Sequence, residues 1–249
     1  VSKLAMAIHI DWSYQDQLIF LPIGISFYTL SAIGYMADVY WGKVKAEYSL
    51  VKTALFLGFF PVIVEGPICR WEDVEDTLFK NESVKAENVF KGCYRIIWGL
   101  FKKMIIADRL AVLVDKVYVG YESYSGAVIV AAAISYTIQL YMEFSGCMDM
   151  VIGSAGLFGI RLPENFSQPF FAKTCTDFWK RWHITLGVWF KNYIFYPVSI
   201  SKTARKWNKF TRKHFKGDFG KYVARMGVAA MALFPVWISN GLWHGPKWN

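Results

Sequence analysis

The run "LIFLPIGISFYTLSAIGYMA", residues 18–37, carries no charged side chain over twenty residues. At ~1.5 Å of rise per residue, a helix of that length crosses the ~30 Å hydrocarbon core of a bilayer while satisfying its own backbone polar groups. The runs "SGAVIVAAAISYTIQLYM" (125–142) and "MGVAAMALFPVWISNGLW" (226–243) read the same way. Stretches 50–68, 93–118 and 184–200 are weaker candidates, because charges interrupt them and suit an interfacial or bundle-interior position. With 55% hydrophobic and 18% aromatic residues among 249, the expected fold class is all-α: a polytopic transmembrane helical protein forming a single membrane-embedded domain over 1–249, multi-pass in the cell (plasma) membrane. The first residue is Val1 and the chain stops at "WHGPKWN", which reads as an internal fragment lacking both ends.

A formal charge of +9 could point to nucleic acid, but its distribution excludes that reading. Between Lys173 and Lys221 lie twelve Lys/Arg and only Asp177 and Asp218. The excess is concentrated in "SKTARKWNKFTRKHFKGDFGK" (201–221), flanked by apolar runs, as expected of a cytoplasmic loop under the positive-inside bias. The same charge would also suit anionic lipid, an acidic partner or a phosphate-bearing acyl donor. "DVYWGKVKAEYS" (38–49) and "CRWEDVEDTLFKNESVKAEN" (69–88) read as polar connections, the second able to form a short surface helix. Cys69, Cys93, Cys147 and Cys175 are too widely spaced for a C-x-x-C site or a compact disulfide framework and read as small apolar packers.

"TDFWKRWHITLGVWFKNYIFYP" (176–197) sets a histidine among tryptophans and cations. "TCTD" (174–177) has the [ST]-x-x-[DE] pattern of a helix start. On a helix continuing from there, Phe178, Trp182, Thr185 and Trp189 share one face within ~40°, while Lys180, His183, Gly187 and Lys191 share the other. Gly187 would then leave clearance beside His183 for a ligand; a hydrogen-bonded packing histidine beside a packing glycine fits the same pattern. In "FPVWISNGLWHGPKW" (234–248), Gly245-Pro246 must end the apolar helix at His244. Asn240, one turn earlier, is placed to meet that imidazole. Ionisable groups at membrane depth are candidates for function, although a histidine at a helix end can simply be solvated. Asp149 is another such ion, suited either to pairing with a cation or to lining a reaction path. Glu65 and Arg70, flanking "GPIC", read as loop anchors.

"LPIGISFYTLSAIGYMADVY", "GPICRW", "QLYMEFSGCMDMVIGSAGLFGIRLPENFSQPFF", "DFWKRWHITLGVWFKNYIFYP" and "GLWHGPKW" follow one another as in membrane-bound O-acyltransferases. The chain resembles the bacterial branch that O-acetylates alginate and other exported polysaccharides, and the pairing of R-W-H with a later W-H-G carries most of the specificity. Pro246 and Lys247 depart from the small or less charged residues usual in related sequences. The resemblance implies a membrane domain with a tunnel lined by His183 and His244, the latter at the family's active-site position. It also implies acyl-CoA, commonly acetyl-CoA, as donor substrate with no bound cofactor, a polysaccharide hydroxyl as acceptor within the lipid bilayer, and a separate exported acyltransferase as possible partner.

The chemistry suits these residue types. An alcohol attacking a thioester must lose a proton, and an imidazole with a pKa near ~6.5 accepts it at neutral pH. His244 is the expected general base. His183 is expected to position the acceptor or to donate to the developing oxyanion, with Lys180 or Arg181 holding donor phosphates. No serine elbow, H-E-x-x-H, P-loop or dinucleotide fingerprint occurs, and the histidines lack metal-ligand spacing, so no metal is expected. Two rival readings remain open on sequence: a transporter or channel with a histidine-lined path, and a noncatalytic export scaffold.

Overall fold

A computed structural model describes residues 24–80 and 84–245, and every α- or strand-type element among these residues is helical. Helix α1 is Ile25–Tyr40. It begins just after Gly24, whose φ of 78° and tight seat against the Ile63 carbonyl leave no room for a Cβ. Leu30, Gly34 and Asp38 form its buried stripe at i, i+4, i+8 spacing. The expected span 18–37 is therefore helical from Ile25 onward, and its residues 18–23 lie outside the described ones.

Stretch 50–68 does not form a span. It divides into α2 (Leu50–Leu57), a single turn α3 (Phe60–Ile63) and the buried loop of Gly66, Pro67 and Ile68. Gly58 and Pro61 break the run, as flexible and N–H-deficient residues do. Helix α4 (Trp71–Leu78) is the short helix expected within 69–88. Its Trp71 and Val74 are buried, so one face serves a core with Phe56, Phe59, Ile152 and Leu162.

Helix α5 (Ala86–Leu100) runs through a π-helical stretch, Phe101–Ala107, into α6 (Asp108–Val119). It packs antiparallel on α7 (Gly126–Leu157) through paired glycines, Gly92 facing Gly153 and Gly99 facing Gly146. A Cβ on Gly99 would stand 2.5 Å from the Gly146 carbonyl oxygen, and one on Gly153 would stand 2.9 Å from that of Gly92. The two backbones thus approach as closely as small residues permit. Stretch 93–118 is helical and carries Arg95, Lys102, Lys103, Arg109 and Lys116, while it turns Tyr94, Ile97 and Met104 outward.

Beyond α7 a loop reaches α8 (Cys175–Trp179), then α9 (Ile184–Phe190), a π-helical stretch Lys191–Phe195 and α10 (Tyr196–Ser199). Stretch 184–200 is therefore helical from Ile184 to Ser199 through a π-helical stretch, and it buries Leu186, Trp189 and Phe190 in a second core with Leu30 and Ile68. The expected loop 201–221 is largely helical: α11 (Lys202–His214) followed by the start of α12 (Gly217–His244). Ala204 and Thr211 of α11 are buried on its inner side, leaving the cations outward.

Among the described residues, two helices are long and apolar enough to cross a membrane, α7 with 32 residues and α12 with 28, and most of their apolar windows lie uncovered. Cys69 is a core packer as expected, whereas Cys93 and Cys175 are exposed because their helix faces point outward. The glycine seam yields a direct prediction. Gly146→Ile should destabilise the detergent-solubilised full-length protein by at least about 1–3 kcal/mol through overpacking, lowering its melting temperature. Gly126→Ala, with nothing within 4 Å of the added Cβ, should melt within experimental error of the parent.

Candidate active site

The helix expected from residue 174 starts as its sequence dictates: Thr174 Oγ1 caps α8 by accepting from the Asp177 N–H at 3.0 Å. It does not continue through His183. α8 stops at Trp179, and His183 takes a left-handed conformation at φ 46°, ψ 53° before α9 begins. This corrects the single-helix face assignment. Lys180 is exposed and His183 is 7% exposed, so they do not share a polar stripe.

The cause lies in the loop before α8. The Ile184 N–H donates to the Asn165 carbonyl at 2.9 Å and the Ser167 N–H to the Arg181 carbonyl at 2.9 Å, so the loop and the break run side by side. The side chain of Asn165, fully buried, finishes the clamp. Its Oδ1 accepts from the Thr185 N–H at 3.1 Å and the Thr185 hydroxyl at 2.9 Å, and lies 3.1 Å from His183 Nδ1. Thr185 Oγ1 in turn accepts from the Ile68 N–H at 3.0 Å, which joins the "GPIC" loop to the same centre. A left-handed non-glycine residue costs on the order of 1–3 kcal/mol and persists where its surroundings over-determine it. Here they do.

This network fixes the imidazole tautomer. A backbone N–H can only donate, so the Asn165 atom facing Thr185 is the carbonyl oxygen, and His183 Nδ1 beside it must carry the proton. Nε2 then holds the bare lone pair. It is buried without a hydrogen-bond partner among the described residues, as is Asn165 Nδ2. A neutral His183 in this form accepts, rather than donates, at Nε2.

Aromatic rings enclose His183. Phe144 meets it edge-on at 4.8 Å between centroids, and Trp243 lies at 6.0 Å. Trp243 is held by its Nε1–H, which donates to the Ser26 carbonyl at 3.2 Å, and by Phe27 at 5.6 Å. His244, the next residue in the chain, stands 4.7 Å from the same indole. One indole therefore brings the two histidines to a common place although they are far apart in sequence. His244 is the last residue of α12, stopped by Gly245 at φ 123° as expected, and is exposed. Asn240 sits one turn below it, half-buried, with no hydrogen bond to His244 among the described residues. Pro246 and Lys247 lie outside those residues.

The other candidates fall around this centre with distinct surroundings. Arg181 is engaged by Asp177 at 2.9 Å and by the Ser167 carbonyl at 3.5 Å. Lys180 has no carboxylate partner among the described residues. Gly187 lies on the exposed side of α9, where a Cβ would make ordinary contact with the Trp179 carbonyl at 3.7 Å. It is thus on the side of α9 away from the Asn165 clamp. Asp149 pairs with cations: its oxygens accept from Arg95 Nε at 3.0 Å and Lys102 Nζ at 2.6 Å. Arg95 also grips Glu164 through two hydrogen bonds of 2.7 and 2.6 Å. Glu65 accepts from the Cys147 thiol at 3.3 Å, and Arg70 pairs with Glu72 and Asp73, anchoring the loop and the start of α4 as expected. Asn165, Thr185 and Trp243 were not singled out by sequence. The one available signal was that "PENF" and "RWH" both mix polar and aromatic residues, which does not reveal their contact.

Residues 44–212 match the model of the MBOAT, membrane-bound O-acyltransferase family. The chain belongs to this family. It is 36% identical over 231 residues to a probable alginate O-acetylase AlgI of Pseudomonas putida, covering 93% of the chain and 43% of that protein. It is 31% identical to a peptidoglycan O-acetyltransferase of Helicobacter pylori, covering 92% and 44%. It is 28% identical to a teichoic acid D-alanyltransferase of Bacillus subtilis, covering 90% and 53%. The chain thus spans about half the length, or less, of these curated relatives.

The clamp predicts a spectrum. In the full-length protein labelled with ¹⁵N-histidine, His183 should show a protonated Nδ1 and a bare Nε2. Asn165→Asp, which keeps the acceptor, should retain the Nδ1 proton. Asn165→Ala should lose that preference and cost at least about 1–3 kcal/mol, since buried donors lose their acceptor. An unchanged tautomer in Asn165→Ala would show that another group holds the ring.

Proposed function

We propose that the full-length protein is a multi-pass membrane O-acyltransferase that moves an acetyl group from acetyl-CoA to a hydroxyl of an exported or cell-envelope polysaccharide. The observation that carries this reading is the meeting of His183 and His244 on Trp243, one imidazole presenting a bare Nε2. The relatives' names support the chemical class, pairing an acyl group with alginate, peptidoglycan or teichoic acid. Acetyl is favoured here because two of these three carry it in their names.

In this mechanism His244 is the general base. The acceptor oxygen attacks the thioester carbon, a carbon–oxygen bond forms, and the proton moves to the His244 imidazole. Collapse of the tetrahedral intermediate breaks the carbon–sulfur bond, and the imidazolium returns the proton to the departing thiolate. His183, with Nε2 accepting, holds a neighbouring hydroxyl of the sugar and so orients the attacking one. Phe144 and Trp243 keep water from that lone pair. Lys180 is the cation placed to meet a donor phosphate, Arg181 being engaged by Asp177. Asn240 supports the end of α12, Gly187 on the far side of α9 takes no part beside His183, and Asp149 serves the scaffold.

His244→Ala in the full-length protein should keep its expression, melting temperature and donor affinity while acetyl transfer falls by ~10²–10⁴, the range for losing a general base. His183→Ala should raise the acceptor KM as well as lower kcat, because orientation is lost. Transfer within about threefold of the parent in a folded His244→Ala protein, far from the loss of a base, would move the base assignment to His183.

A further inference from the structure

Helix α11 and the first turns of α12 form a groove of about 400 Å³ lined by Asn208, Arg212, Lys221, Ala224 and Arg225. Three cations and an amide face one small space without a carboxylate in its lining. Lys221 pairs with Asp218 at 3.1 Å, but both ends are largely exposed, 75% and 97%, and such pairs are weak and easily exchanged. Lys202, Arg205, Lys206, Lys209, Arg212 and Lys213 of α11 have no carboxylate partner among the described residues.

Depth identifies what fills it. Arg225 immediately precedes the uncharged run 226–243, which at ~1.5 Å per residue is nearly the ~30 Å of the hydrocarbon core. Laid across the core, that run would set the Arg225 side chain at the level of lipid phosphates. Helix α11 is fixed at the same level, because the Trp207 indole lies directly over Gly227 and its Nε1–H donates to the Val223 carbonyl at 3.4 Å. A cationic helix with outward aromatic side chains, here Phe210 at 50% exposure, is the kind that lies in the interface. Below the groove, Tyr222, Met226, Leu233 and Trp237 form one exposed apolar stripe on α12 beside the Lys221–Arg225 stripe. A phosphate in the groove would leave its acyl chains along that stripe.

We propose that this groove binds the phosphodiester headgroup of an anionic phospholipid, with Arg212 and Arg225 on the phosphate oxygens and Lys221 and Asn208 completing the cradle. A free phosphate would use the cations but not the stripe. The site is independent of the two histidines and of the acyl-transfer reading.

The test is native mass spectrometry of delipidated full-length protein given phosphatidylglycerol or phosphatidylcholine. The parent should retain phosphatidylglycerol at least about tenfold better, consistent with several charge-assisted contacts. An Arg212→Gln/Arg225→Gln double variant should lose most of that preference, whereas Lys209→Gln/Lys213→Gln, the same charge change outside the groove, should stay within about twofold, since distant exposed charges are screened. Arg225→Gln alone, checked for an unchanged melting temperature, covers the case in which the double variant fails to fold. Equal retention of the two lipids by the parent, or full retention by the folded groove variants, overturns the proposal. Displacement of the lipid by equimolar inorganic phosphate or coenzyme A also overturns it, the groove then being a general phosphate or donor site.

Discussion

One buried carbonyl oxygen, Asn165 Oδ1, governs the geometry of the candidate site. It takes three short contacts from His183 and Thr185, while the backbone of the same residue holds Ile184. Through Thr185 it also reaches Ile68 of the "GPIC" loop. Three segments distant in sequence are thereby referred to a single point. An unsatisfied buried donor costs about 1–3 kcal/mol, so the oxygen cannot be removed without releasing several groups together. The left-handed His183 follows from this point and would be unfavourable without it.

Asn165 is itself positioned by charge. Its neighbour Glu164 is gripped by Arg95 of α5, and Arg95 also reaches Asp149 of α7, which Lys102 balances. The cluster contains two cations and two carboxylates, so it is neutral, as a group in a low-dielectric interface must nearly be. Its geometry in turn depends on how near α5 and α7 approach, and the glycine pairs set that distance. A chain of causes therefore runs from the seam at Gly99 and Gly146, through the Asp149 ion cluster, to the loop that clamps His183. Asp149 acts on the site through this scaffold, with both oxygens already occupied by cations.

Local signals in the sequence carried the features that local physics decides. The Thr174 cap, the end of α12 at Gly245 and the two long apolar helices are all set by residues within a few positions of where they act. The break after Trp179 was not legible, because the helical period of Phe178, Trp182, Thr185 and Trp189 continues across it. What interrupts the helix is Asn165, eighteen residues before His183, and a non-local competitor leaves no mark on local periodicity. The charge density of stretch 201–221 speaks for a connection between apolar runs but not for its conformation; Ala204, Trp207, Thr211 and Gly227 supply the small and aromatic contact that seats a helix there. Asp149 was recognisable as an ion needing a cation, but its partners lie 54 and 47 residues away.

The locked ring bears on one of the readings that sequence left open, a proton relay through His183. A histidine relaying protons along a pathway must accept at one nitrogen and release at the other, or turn between two partners. His183 can do neither while Nδ1 is committed to Asn165 and Phe144 and Trp243 flank the ring. It can only bind and release at Nε2. Such a group suits a cycle in which a hydroxyl is held, reacts and departs from the same side, as in acyl transfer. His244 supplies the complementary property, an exposed imidazole at a helix end with no partner among the described residues to restrict it. In the proposed mechanism a fixed acceptor at His183 and a base at His244 would serve orientation followed by proton transfer, with Trp243, tied to the Ser26 carbonyl, standing next to both rings.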